Sequence, residues 1–296
     1  MTTGLVFASP WIIGFCLFYG YPIVISFWYS LTSFNIFQSP KFIGLANYSK
    51  LFSEAIFYKS LFNTLFITFL GVPLNLGFGL LCAMLLNRKV RGLSLYRTIF
   101  YLPAIIPLVA TSILWVWNLD AQFGLVNSGL KALGLPQPNW LEDARFTKPA
   151  LLLVGLWGTG QIAVIFLAAL QDVPVQLFEA ADLDGASAFQ KFRHITVPFL
   201  SPVILFQSIM GVIAGFQYFT QPYLMVTVRS GLSDPNQAGG PENSLMFYAT
   251  LLFHNAFTYL KMGKASAMAW ILFIIIALVT FLLLKSSKRW VHYGAD

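Results

Sequence analysis

Hydrophobic and polar positions in this chain are segregated into long apolar runs separated by short polar ones. Six runs contain no Asp, Glu, Lys or Arg: residues 1–40, 60–87, 98–119, 149–171, 194–228 and 265–284. Each reaches the roughly 20 residues that an α-helix needs to cross a hydrocarbon core. The runs lack the short period-two alternation of a barrel strand, and within lipid only helices and closed barrels satisfy the backbone internally. The pattern therefore predicts an all-α, polytopic membrane protein with six transmembrane helices. The expected spans are about residues 5–31, 62–87, 98–118, 149–171, 196–224 and 265–284, in a single domain covering 1–296.

One departure from this pattern in the middle of the chain is the polar loop 172–195. It carries the acids Asp172, Glu179, Asp182 and Asp184 and the bases Lys191 and Arg193. Its local grammar predicts two short helices with a break. Pro174 suits a first helical turn, where its missing N–H would be unpaired anyway. Gly185 suits a helix end because it accepts a left-handed backbone. Ser187 followed by Gln190 is a capping box for the second helix.

Composition agrees with the pattern: 57% of residues are hydrophobic and 10% charged, with mean hydropathy +0.72. A net charge of +7 invites a nucleic-acid reading, but the bases follow topology instead. Arg88, Lys89, Arg91 and Arg97 crowd one short loop, and Lys285, Lys288 and Arg289 crowd the tail. The positive-inside rule places both in the cytoplasm, and six spans then put the N-terminus and the 172–195 loop there too. The first run lacks a basic leading region and exceeds a signal-peptide core, so it reads as a retained span. Cys16 and Cys82 lie inside expected spans and make a stabilising disulfide an unattractive reading. Trp115 and Trp117 fit an aromatic belt at the outer interface. Gly211 and Gly215, four residues apart, suit close packing of two helix backbones within the assembled complex.

Glu179-Ala180-Ala181, then Gly185, Ile195 and Pro198, resembles the EAA loop of permease subunits from binding-protein-dependent ABC importers. The usual Leu-Pro ending is Val197-Pro198 here. FIGLANYSKLF after the first span resembles the GL-x-NY segment of that family, and FGLVNSGLKALGL followed by NWL resembles its sugar permeases. A GGP segment at Gly239–Pro241 also matches, preceded by roughly ten more residues than loop lengths lead one to expect. The chain is similar to the larger maltose-permease type of subunit, without that subunit's large soluble insertion.

The resemblance implies a good deal about function. Glu179, Ala180, Ala181, Asp182 and Gly185 would seat in a groove of a separate ATPase, and its closure would drive alternating access. The implied partners are a second homologous permease subunit, two ABC ATPase subunits, an extracytoplasmic solute-binding protein and a sugar or oligosaccharide, in a bacterial or archaeal cytoplasmic membrane. No cofactor is expected in this chain, because ATP and Mg would bind the ATPase. Phe216, Gln217 and Tyr218 match the family's sugar contacts on the fifth span, and Trp157 and Gln161 match on the fourth.

Read for chemistry alone, the chain has no phosphate-binding loop, zinc-ligand spacing or serine elbow, so an enzyme reading has no nucleophile or metal to work with. The spans carry essentially no ionisable residues of the kind that mark proton or ion pathways, which argues against a proton-coupled transporter. Their neutral amides and rings, Gln161, Gln217, Tyr218 and Gln221, suit an uncharged, hydroxyl-rich ligand. A polyol or glycerol phosphate is the alternative cargo, though a phosphate calls for a cation in the pathway. A secondary transporter is the alternative class, and would call for repeats or buried charge. No nucleic-acid partner is expected, and lipid is the surrounding medium.

Overall fold

The computed structural model describes residues 2–88, 90–230 and 239–292. Lys89 of the basic loop and residues 231–238 of the Gly/Pro-rich stretch before the GGP segment lie outside the described residues. Among those described, the chain is helical, with isolated β-bridges at Thr32–Phe42 and Asn35–Gln38 and no strands.

The apolar runs become helices whose interruptions follow proline and glycine. The first run gives α1 (Thr2–Phe15) and α2 (Tyr21–Ser30), joined by a π turn at Cys16–Gly20. After α3 (Ala46–Ser53), the second run gives α4 (Ala55–Phe66), a π turn at Ile67–Gly71 and α5 (Val72–Leu86). The fifth run enters through a π turn at Phe192–Thr196 into α13 (Val197–Phe216). These three π turns stand just ahead of a proline, Pro22, Pro73 or Pro198, in the first turn of the next helix, whereas a fourth, His254–Thr258 after Phe253, has no proline behind it. Proline lacks an N–H and its ring crowds the carbonyl four residues back; a locally wider turn relieves both while the rod continues.

Where relief is not local, the helix breaks. The third run is α6 (Leu93–Ile105) and α7 (Leu108–Asn118), bent by 100° at Ile106-Pro107. Ile106 is extended (φ −70°, ψ 130°), as expected for a residue before proline. Following α8 (Leu125–Ala132), the fourth run is α9 (Ala144–Trp157) and α10 (Gly160–Gln171), bent by 46° at Gly158-Thr159. The polar loop holds α11 (Val175–Leu183) and α12 (Ala188–Lys191). Beyond α13 the backbone opens at Gln217–Phe219 before α14 (Thr220–Ser230); α15 (Tyr248–Phe253) and α16 (Met262–Ser287) complete the chain. Phe7–Ser30, Ala55–Leu86, Ala188–Val228 and Met262–Ser287 are each long and apolar enough to cross a membrane, and counting each bent pair as one span brings the total to six. The chain is a polytopic all-α membrane protein.

Two units can be described. The first comprises Met1–Tyr58 and Ala249–Ile275. Within it Lys264 Nζ lies 2.6 Å from both carboxylate oxygens of Glu54, and the Trp270 indole donates to Ser26 Oγ at 3.2 Å. The second comprises Lys59–Tyr248 and Ile276–Asp296. There α5 packs along α10, and Gly79 lets them close: a Cβ on it would lie 2.7 Å from Ile162 Cγ2. Ile67, Val116, Leu151, Val154, Met225 and Phe247 share one buried apolar cluster of this unit.

Candidate functional site: a polar cleft and an exposed helical loop

Gly211 and Gly215 find their partner inside this chain. A Cβ on Gly211 would come 2.9 Å from Val72 Cγ1, and one on Gly215 would come 2.7 Å from Thr68 Oγ1. The close approach of α13 to the second rod leaves a cleft of about 220 Å³ between α5, α9 and α13. Apolar residues such as Ile67, Leu151 and Ile162 form most of its wall, and Asn75, Gln207, Tyr218 and Gln221 supply its polar groups. Asn75 Nδ2 donates to the Gly71 carbonyl at 2.8 Å, at the end of the π turn. Tyr218, packed edge-on against Phe247 at 5.3 Å, donates its hydroxyl to Gln221 Oε1 at 2.5 Å. Gln207 is only 7% exposed, and its Nε2 has no acceptor among the described residues. A buried donor without a partner is costly, so a hydroxyl or water reaching this amide is bound favourably.

Of the six residues singled out for a sugar pathway, the structure brings Tyr218 and Gln221 to this cleft. Phe216 is fully buried and packs edge-on against Phe69 at 6.4 Å. Trp157 packs edge-on against Trp115 at 5.9 Å. Gln161 and Gln217 are exposed, Gln217 at the break that ends α13. Asn75 and Gln207 were missed by sequence reasoning. Their signal was available, since each is an amide inside a charge-free run, but only the fold turns both toward one space.

The 172–195 loop has the break that its grammar predicts, but its second helix is not short: α12 runs on through the π turn into α13. Pro174 occupies the N-cap of α11. At its other end Gly185 has φ +72°, its N–H donates to the Asp182 carbonyl at 3.1 Å, and that of Ala186 to the Ala181 carbonyl at 2.9 Å. This is a Schellman termination, which needs a residue that tolerates positive φ. Ser187 and Gln190 form the capping box of α12 in both directions. Lys191 Nζ bridges back to Asp182 at 2.6 Å. Glu179, Ala180, Asp182 and Gly185 are exposed and Ala181 is half-buried; Leu183 is 91% exposed and Phe189 68%.

The GL-x-NY, GL-x-N and GGP motifs have structural work to do, and each involves a buried asparagine. Asn47 of the GL-x-NY segment donates from Nδ2 to the Ser30 and Thr32 carbonyls, both at 2.8 Å. Asn127 of GL-x-N accepts from the Trp140 indole of NWL at 2.8 Å and donates to the Ala121 and Pro138 carbonyls. Asn63 donates to the carbonyls of Asn243 and Met246 beyond GGP, both at 2.9 Å. Each amide ties a loop that would otherwise leave its carbonyls unpaired.

Residues 75–292 match the family model for the binding-protein-dependent transport system inner membrane component. The chain belongs to this family. Similar full-length relatives agree. The permease is 39% identical over 293 residues to "Probable ABC transporter permease protein YesP" of Bacillus subtilis, covering 98% of this chain and 92% of that one. It is 31% identical over 288 residues to the arabinooligosaccharides transport system permease protein AraP of the same organism, covering 95% and 87%. Its fold matches, with TM-score 0.78 and 23% identity over 96% of this chain and 95% of the other, a chain of a bacterial ABC transporter involved in import of the acidic polysaccharide alginate. The permease is thus an inner-membrane transport subunit of the ABC class.

Proposed function

We propose that this permease carries a sugar or oligosaccharide across the inner membrane, delivered by an extracytoplasmic binding protein and driven by ATP hydrolysed on a separate subunit. The observation that carries the reading is the 172–195 loop: the short helix α11 and the capped start of the helix Ala188–Val228, which display Leu183, Phe189 and Glu179 to solvent. Apolar side chains this exposed on a charged loop with its own caps and turn bonds suit a protein groove. Glu179, Ala180, Ala181, Asp182 and Gly185 form the seat for the ATPase, with the small alanines allowing α11 to lie deep in the groove. ATP and Mg belong to that partner, and this chain contributes no catalytic group.

The sugar assignment draws on the named substrate of the arabinooligosaccharide relative and on the cleft's neutral amides and phenol, which match hydroxyl groups without a net charge. Tyr218, Gln221, Gln207 and Asn75 line the part of the pathway inside this chain. The exposed Gln161 and Gln217 face a second homologous permease subunit, while Trp157 and Phe216 pack against Trp115 and Phe69. Closure of two ATPase subunits would pull the two loops together and rock the helices toward the outward-open state. Both termini and the loop lie in the cytoplasm in this arrangement.

The test is affinity purification of the tagged chain from its native membrane, with partners identified and ATPase activity measured against a panel of sugars. An ATPase and one homologous permease should co-purify, and Glu179→Lys should release the ATPase while retaining the second permease. A chain that purifies alone and still moves solute would overturn the proposal in favour of a secondary transporter.

A further inference from the structure

The faces that line the cleft carry different chemistry when followed toward the N-terminal ends of their helices. On α9, Leu151, Leu152 and Gly155 line the cleft, and Lys148 precedes them by one turn on the same face. On the neighbouring rod Ile67 lines the cleft, and Phe66, Phe62 and Lys59 step back from it along α4. The two faces meet at Lys148. Its ammonium lies 4.8 Å from the ring centroid of Phe62 and 5.1 Å from that of Phe66, both within the roughly 6 Å reach of a cation–π contact.

This cation is oddly placed. Lys148 is half-buried, and the exposed Lys59 lies one turn before Phe62 on α4. Neither lysine takes part in the ion pairs formed among the described residues, whose acids are spent on Arg145, Lys191 and Lys264. Ring faces offset part of the desolvation of an ammonium but do not neutralise it. Two like charges, one on each of the helix faces that run on from the cleft lining, therefore favour an incoming anion.

We infer that Lys148, seated on Phe62 and Phe66 with Lys59 beside it, recognises an anionic oxygen group, a carboxylate borne by the sugar that this permease carries. The inference rests on the sugar reading above and narrows it to acidic sugars. The carboxylate accepts charge-assisted hydrogen bonds from the two ammonium groups, the Phe rings lie against the apolar face of the pyranose, and the amides of Asn75 and Gln207 take hydroxyls deeper in the cleft. A chain with only neutral groups along its spans suits neutral sugars; Lys148 changes that, because α9 begins at Ala144 and so includes a lysine that the charge-free run excludes. A lipid phosphate offers the same oxygen chemistry, and the experiment separates the two sources.

The complex as purified from its membrane is placed in nanodiscs of zwitterionic lipid, and equilibrium binding of trigalacturonate is compared with that of neutral galactotriose. The unmodified complex should prefer trigalacturonate by about tenfold or more, the scale of one charge-assisted hydrogen bond. Lys148→Met should bring the ratio close to one, Lys148→Arg should retain most of it, and Lys59→Met, at an exposed site with little risk to folding, should reduce it in part. Equal binding of the two sugars, or a preference that survives in Lys148→Met, overturns the inference. So does a preference abolished by adding anionic lipid, which assigns the lysines to headgroups. Failure of the import reading would show separately, as a complex without an ATPase, since the binding measurement needs no hydrolysis.

Discussion

The exposed loop and the polar cleft are built by opposite means. Every bond that shapes the 172–195 loop joins residues close in sequence, the longest being the Lys191–Asp182 bridge across nine positions. Its helices are set by a proline, a glycine and a capping box, and Val175, Leu177, Leu183 and Phe189 remain uncovered. The cleft draws its walls from residues 67–76, 151–162 and 207–221, and exists only because glycines let α13 approach the second rod. A surface meant for a partner has to hold its shape before the partner arrives, and local bonding can do that. A cavity has to be held open by structure around it, and its residues answer to the packing of the whole unit. Substitutions in the two regions should therefore separate stability from function in opposite ways.

The largest effect expected is at the packing contact that forms the cleft. Gly215→Leu would drive a side chain into Thr68, whose Cγ2 already stands 3.0 Å from the position of a Cβ. Overpacking of this kind costs about 3 kcal/mol, and the neighbouring wall at Ile67 and Tyr218 would shift with it. Thermal unfolding of the complex in mild detergent should show a midpoint lowered by several degrees. A midpoint unchanged within error would mean that the two rods slide apart freely, and the cleft would then owe nothing to this contact.

Gly185→Val sharpens the comparison from the other side. A Cβ at this position meets nothing within 4 Å, so the substitution is penalised through its backbone alone. Holding an L-residue at φ +72° costs about 1–2 kcal/mol, and a β-branched residue tolerates it least. The cost falls on the loop. Amide hydrogen exchange at Gly185–Ser187 should accelerate about tenfold, while the unfolding midpoint of the helices stays in place. Under the proposed coupling, ATP-driven uptake should collapse in the same variant. Uptake at the unmodified rate with exchange accelerated would detach the Schellman turn from transport.

The same division explains what the sequence made legible. The run lengths announced an all-α membrane chain, and the loop could be drawn residue by residue because Pro174, Gly185, Ser187 and Gln190 act on their immediate neighbours. Pro107 was visible, but whether a proline widens a helix into a π turn or breaks it by 100° depends on what packs around it. Asn63 shows the limit most clearly. Its amide looks like an ordinary polar residue at the start of a span, yet it donates to carbonyls at Asn243 and Met246, 180 and 183 positions away. Nothing local distinguishes it from Gln161, which is exposed. The cleft's polar set was half found for this reason: Tyr218 and Gln221 share a stretch that drew attention as a group, whereas Asn75 and Gln207 sit singly in apolar runs and acquire meaning only through Gly155, Gly211 and Gly215 around them.

Gln207 offers the smallest stability effect and the sharpest test of what the cleft is for. In a site optimised only for packing, a buried amide with an unpaired Nε2 would be a defect. Leucine has nearly the same volume and no donor to satisfy. Gln207→Leu should therefore leave the unfolding midpoint unchanged or raise it, by less than about 1 kcal/mol in stability. If the amide serves a sugar hydroxyl, the same change should weaken sugar-stimulated uptake, with the apparent affinity falling about tenfold and the maximal rate less affected. A variant that is destabilised by more than 2 kcal/mol would place Gln207 in a structural network instead. If Gln207→Leu behaves in this way, an amide of no benefit to folding in a cleft bordered by Gly155, Gly211 and Gly215 would be what a passage for hydroxyl-bearing cargo requires.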